Sequence, residues 1–177
     1  MNIERKMIPD NMYAKGRRLN SLKWIVIHDT GNESVGANAD MHARYLLTAA
    51  SQKAQTSWHY SVDDKKVIQH LEDDRVGWHA SSPQYNNNSI GIEICVNRDG
   101  DLYLATENAA RLTAELLIKH GLSLNNIVQH FDASGKNCPA KMRSGNPYNF
   151  TAFKERVGIY ILSNDSLNSI SNKVRGL

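Results

Sequence analysis

Ser89-Ile-Gly-Ile-Glu-Ile-Cys-Val96 alternates with a period of two: Ile90, Ile92, Ile94 and Val96 point one way, and Gly91, Glu93 and Cys95 the other. That pattern predicts a β-strand with one wholly apolar side. A carboxylate in the middle of such a strand is expensive to bury unless it is paired or stands near a metal. Glu93 is therefore a site candidate on physical grounds, the competing reading being an edge-strand residue that faces water.

The flanking segments read outward from this strand. Upstream, Trp24-Ile-Val-Ile27 is almost continuously apolar, as in a strand buried on both faces, and it ends in His28 followed by Asp-Thr-Gly. Ser57 to Val62 and Lys66 to Leu71 are β-rich runs joined by Asp63-Asp64-Lys65, a hairpin pattern. Glu72 to Asn88 reads mostly as loop, with a brief strand at Val76 to His79. Asn126 to His130 gives a further short strand.

Three helices are expected. The first spans Ala39 to Ala54 and is capped by Asn38; the second spans Thr106 to His120, with Thr106 as N-cap and Gly121 just past its end; the third spans Asn149 to Leu162. Residues 1–22, broken by Pro9 and Gly16, read as an irregular lead-in. This order excludes a pure βαβ array. The expected fold is a single α/β domain over residues 1–162: a central mixed sheet of five or six strands, flanked by helices, with a linker-like tail over 163–177.

The segment HFDASGKNCP places His130, Lys136 and Cys138 within nine positions beside an apolar strand. A borderline-soft ion such as Zn²⁺ accepts imidazole nitrogen and thiolate sulfur together, and His28 is the natural third donor. Three protein ligands leave a fourth position for water, which marks a catalytic rather than a structural zinc. No CxxC, HExxH or zinc-finger spacing is present, so this reading rests on the convergence of strand ends; singly, each histidine also fits a satisfied boundary residue. His42, His70 and His120 read as satisfied surface histidines. Cys95, on the Glu93 side of its strand, reads as a small buried hydrophobe.

At 177 residues and 41% hydrophobic, the chain has the size of one domain with a sizeable core. The net charge of +3 is spread over both ends, which argues against a nucleic-acid binder and suits an anionic wall or cell surface. The amino terminus shows no signal-peptide pattern and no stretch could span a bilayer, so a soluble protein without integral membrane contact is expected. Cys95 and Cys138 are expected to be reduced.

With these residues in view, the chain from about Trp24 to Phe153 resembles the zinc-dependent N-acetylmuramoyl-L-alanine amidases of the Amidase_2 type, whose fold is shared with T7-like phage lysozymes and peptidoglycan recognition proteins. It looks closest to the bacillar and phage branch, on SIGIEIC (Ser89 to Cys95) and SGKNCP (Ser134 to Pro139). The resemblance implies that His28, His130 and Cys138 hold zinc, that Glu93 is the acid/base carboxylate and that Lys136 stabilises the reacting oxygen. Relatives carry a tyrosine in a GYHF-like strand where this chain has Ser57-Trp58-His59-Tyr60, so the burden shifts to Glu93. Trp58, Trp78 and His79 are the expected substrate contacts. The implied function is cleavage of the amide joining N-acetylmuramic acid to L-alanine in bacterial peptidoglycan by a monomer acting at the cell wall, as an endolysin or autolysin. The alternatives are a non-catalytic peptidoglycan-binding module and a cytosolic muropeptide-recycling amidase.

Overall fold

The apolar runs assemble one six-stranded sheet in the computed structural model, which describes residues 2–12 and 15–175, with side chains of the last helix through residue 164. The strands are β1 (Ile3–Arg5), β2 (Trp24–Asp29), β3 (Tyr60–Val62), β4 (Val67–Gln69), β5 (Ser89–Ile94) and β6 (Ile127–Gln129), in the order β1-β4-β3-β5-β2-β6. β2 runs parallel to both β5 and β6, and β3 parallel to β5, whereas β3 and β4 form the antiparallel hairpin. The sheet is mixed, as its order of elements requires. The helices are α1 (Ala39–Leu46), α2 (Ala49–Lys53), α3 (Pro83–Asn86), α4 (Leu102–His120), α5 (His130–Ser134), α6 (Ala140–Arg143) and α7 (Phe150–Arg175).

One face of the sheet carries the main core. Ile25 and Ile27 of β2, with Ile90, Ile92 and Ile94 of β5, pack against Ala109, Leu112 and Leu116 of α4 and Phe153 and Val157 of α7. Burying side chains of this size contributes roughly 1.5–3 kcal/mol each. The opposite face holds a smaller cluster of Ile8, Leu46, Trp58 and Leu71 and a group of imidazoles. Alternation along β5 thus puts Ile90 and Ile92 in the main core and leaves Gly91 and Glu93 to the other side.

Several expectations are corrected. The first helix is two, because Thr48 takes an extended conformation, donates its hydroxyl to the Tyr45 carbonyl (2.7 Å) and caps α2 through Ser51 N. α4 begins earlier than Thr106: Asp101 is its N-cap, accepting from Leu104 N at 3.0 Å, while the Thr106 hydroxyl donates back to the Leu102 carbonyl. Gly121 does end it, in the left-handed region at φ 64°. The lead-in contains β1, which pairs parallel with β4. Val76 to His79 is not a strand; Val76 instead bonds to the backbone of Arg17 and Gly16. The last helix runs through Leu162 to Arg175, so the segment read as a linker-like tail is helical as far as it is described, and residues 176 and 177 lie outside the described residues.

Candidate metal centre and catalytic cleft

The parallel strands β2, β5 and β6 end together, and the candidate site sits at those carboxyl ends, where open α/β sheets place their ligands. In the β2–β5 register His28 lies opposite Glu93. Two central strands therefore present an imidazole and a carboxyl side by side on the imidazole face. His130 follows β6 directly and opens α5, whose end at Gly135 (φ 77°) turns the chain back. A backbone bond from Phe131 N to the Cys138 carbonyl (3.0 Å) closes the loop and brings Cys138 beside His130.

His28, His130 and Cys138 are the one group of at least three potential ligands among the described residues, with ligand atoms all within 4.8 Å of one another. His28 Nδ1 is 3.0 Å from His130 Nδ1 and 3.8 Å from Cys138 Sγ. All three residues are buried. Burial, then the neighbouring His79, His130 and Lys136, holds the His28 imidazole well below its ordinary pKa, and burial with Lys136 lowers that of His130 to about 4. Neutral imidazoles are what a metal needs. Burial, then the Glu93 charge, pushes the Cys138 thiol up to about 12. A thiol held that high is inert as a nucleophile, and a divalent cation is the partner that would ionise it. Two converging ring nitrogens and one otherwise inert sulfur fit a tetrahedral N₂S site with one position open.

The orientation of His28 is set from behind. Its Nε2 faces His79 Nδ1 at 3.0 Å, and His79 Nε2 lies 3.5 Å from Ser89 Oγ. The Ser89 hydroxyl donates to the Tyr85 carbonyl (2.7 Å), so toward His79 it can only accept. His79 then carries its proton on Nε2, accepts from His28 Nε2–H, and leaves His28 Nδ1 a bare lone pair directed at His130 and Cys138. His79 thus turns both ring nitrogens toward protein groups, while the residue also borders the cavity that holds His130, Lys136 and Glu93. The same ring explains the glycine in SIGIE. A Cβ on Gly91 would come within 2.7 Å of His79 Cγ.

Glu93 Oε1 stands 3.9 Å from His28 Nδ1, and Oε2 is buried without a hydrogen-bond partner. Burial, then the Asp29 charge, raises this carboxyl well above the usual range, with Lys136 acting in the opposite sense. The other nearby carboxylate is occupied: Asp29 Oδ2 accepts from Lys141 N at 2.8 Å and so clips α6 to the end of β2. Glu72 is paired with Lys15. Lys136 is exposed and lines the same cavity of about 310 Å³ as His130, Cys138, Glu93 and Trp78.

Of the remaining residues, two histidines lie deeper than expected, and Cys95 is the small buried hydrophobe expected of it. Trp58 is almost wholly buried and donates its indole N–H to Ser61 Oγ at 2.8 Å, though its edge lines a neighbouring cavity. His42 and His70 are buried rather than on the surface, and His120 Nε2 lies 2.8 Å from Asp73 Oδ2. Cys95 packs with Ala39, Ala43 and Ile68, apart from the ligand group, and both cysteines are free thiols.

The family model described as N-acetylmuramoyl-L-alanine amidase (Amidase_2) matches residues 18–141. The amidase XlyA of Bacillus subtilis (strain 168) is 42% identical over 156 residues, which are 84% of this chain and 50% of that protein. CwlH of the same organism is 43% identical over 122 residues, 67% of this chain and 48% of that protein. The chain thus spans about half the length of these relatives. Among solved structures, the catalytic domain of XlyA superposes with a TM-score of 0.81 at 40% identity, covering 89% of this chain and 99% of that one.

Proposed function

Because the chain belongs to the N-acetylmuramoyl-L-alanine amidase family, we propose that it hydrolyses the amide between the lactyl group of N-acetylmuramic acid and L-alanine in bacterial peptidoglycan, with zinc as its metal. The observation that carries this reading is the Glu93 carboxyl, whose Oε1 stands 3.9 Å from the imidazole of a His–His–Cys ligand group and whose Oε2 is buried without a hydrogen-bond partner. His28 Nδ1, His130 Nδ1 and Cys138 Sγ would hold the ion. A zinc ion in such a site supplies a Lewis acid and lowers the pKa of a bound water to about 7.

Glu93 takes the proton of the attacking water and returns it to the departing alanine nitrogen; general acid–base help of this kind is worth about 10² to 10⁴ in rate. Lys136, on the rim of the same cavity, faces the oxygen that gains charge, a contribution of roughly 10² to 10³. His79 keeps His28 in the ligating tautomer and takes no part in proton transfer. Trp78 forms a wall of the cavity on which a sugar or peptide can lie.

A binding-only module on this fold has no use for a thiol ligand, so Cys138 favours the enzyme over that alternative. The endolysin or autolysin reading is preferred over a muropeptide-recycling amidase because the relatives include an endolysin from Bacillus subtilis. Mass analysis of digested wall tests the bond. New amino-terminal alanine without new reducing ends is the expected result, and new reducing ends without free alanine would overturn the assignment.

A further inference from the structure

Among the described residues, the backbone turns to positive φ at Gly31, Gly36, Gly121, Gly135 and Gly145, and at two residues that carry side chains, Gln55 (φ 50°) and Ser81 (φ 53°). A Cβ at any of the five glycines would meet nothing within 4 Å, so the backbone conformation, not a lack of room, selects glycine there. A side chain in this region crowds its own carbonyl, and the chain avoids that strain everywhere but at 55 and 81. Both of these residues line the metal cavity of about 310 Å³, and none of the five glycines does.

Two helix ends show the contrast at equal geometry. α4 closes with Leu122 N bonded to the Leu117 carbonyl (2.9 Å) and Gly121 N to that of Ile118 (3.4 Å); α2 closes the same way, with Thr56 N on Ser51 (3.2 Å) and Gln55 N on Gln52 (3.1 Å). Glycine fills the left-handed position away from the cavity, and glutamine fills it at the cavity. The backbone leading to Ser81 is also fixed, since Asn86 Oδ1 accepts from His79 N (3.2 Å) and Ala80 N (2.8 Å). The two segments form one wall, because Ser57 N and Thr56 Oγ1 both bond to the Trp78 carbonyl (3.2 and 3.3 Å). No internal bond offsets the strain: Gln55 and Ser81 are exposed, and neither side chain hydrogen-bonds to another described residue. Backbone strain held in place at a cleft is the mark of a side chain kept for a ligand.

We propose that Gln55 and Ser81 grip the substrate from this wall, beside the metal ligands, and help to determine which muramoyl-peptides are cut. The inference rests on the amidase reading above and adds to it two contact residues. A carboxamide and a hydroxyl are uncharged, and each both donates and accepts, so they suit neutral hydrogen-bonding groups rather than a carboxylate or an ammonium. In a muramoyl-peptide that chemistry has two sources, the amides of the stem peptide and the polar groups of the sugar.

The test uses the zinc-loaded protein and two soluble fragments, N-acetylmuramic acid carrying L-alanine alone and the same sugar carrying a tripeptide. Gln55→Gly and Ser81→Gly remove side chain and strain together, whereas Gln55→Ala and Ser81→Ala remove the polar group and keep the strain. Urea unfolding, binding by calorimetry and cleavage by chromatography are measured for each. Both glycine variants should unfold at a higher urea concentration than the wild type while binding and cleaving a fragment about three- to tenfold less well, the worth of one hydrogen bond. The alanine variants should show the same loss without the gain in urea midpoint. A loss confined to the tripeptide identifies the stem amides as the group held, and an equal loss on both fragments identifies the sugar. Glycine variants that bind both fragments as the wild type does would overturn the proposal. Glycine variants less stable than the wild type would also overturn it, since the side chains would then serve the fold. Weaker binding by the variants, with no cleavage of either fragment by the wild type, would leave the contact standing and overturn the amidase reading instead.

Discussion

Glu93 and Gln differ by one proton acceptor and almost nothing in shape, which makes that exchange the cleanest probe of the site. Glu93→Gln should fold, keep its metal and lose two to four orders of magnitude in amide cleavage, as steady-state kinetics with metal analysis would show. Turnover near that of the wild type would remove Glu93 from the mechanism while leaving the ligand group untouched. His79 calls for a different readout. His79→Phe keeps the ring over Gly91 but removes the acceptor for His28 Nε2–H, so zinc affinity, measured by competition with a chromophoric chelator, should fall about 10- to 100-fold; unchanged affinity would refute the positioning role. The candidate ligand group could be read from the sequence, because His28 and His130 each end an apolar run and Cys138 follows in the same loop as His130, while Glu93 stood out as a carboxyl inside an apolar strand. His79 was not legible in that role, since it lies 51 residues from His28 and meets it only in three dimensions. The trace it leaves is Gly91, a glycine in a central strand.

At the level of elements, sequence pattern located β2, β3, β4, β5, β6 and the three main helices but misplaced several boundaries, and the reasons at the helix ends are local hydrogen bonds. Thr48 and Thr106 are alike in sequence context, yet one hydroxyl caps a new helix and the other bonds back within an existing one. The cap of α4 is Asp101, so Asp101→Ala should lower stability by about 1 kcal/mol in urea unfolding, whereas Thr106→Ala should leave the helix start intact. A larger loss from Thr106→Ala than from Asp101→Ala would reverse that assignment. β1 escaped notice because three residues are too few to show a period, and its place is fixed by pairing with β4 and by the ion pairs of Lys6 and Lys66 with Asp40 of α1.

For the whole molecule, the sheet separates two halves of different character. The main core, running from Ile25 to Val157, contains no metal ligand, so chelation should abolish activity while the circular dichroism spectrum keeps its folded form; an unfolded metal-free protein would make the metal structural. The opposite half is the one that responds to acid. Burial lowers the pKa of His42, His59 and His70 from 6.5 to about 4. The unfolded chain binds these protons first, so the contribution is full above pH 6.5 and is lost as pH falls from 6.5 toward 4. Urea melts across that range should show the slope, and a flat profile would contradict it. These histidines lie on the side of α1 and of the small Ile8, Leu46, Trp58 and Leu71 cluster, not beneath α4 and α7. Mild acid should therefore open the molecule in two stages rather than one: at pH 5, amides of α1, α2 and residues 70–88 exchange with solvent deuterium while those of β2, β5 and α4 remain protected, so that the layer carrying His42 and His79 peels away from a sheet that still stands.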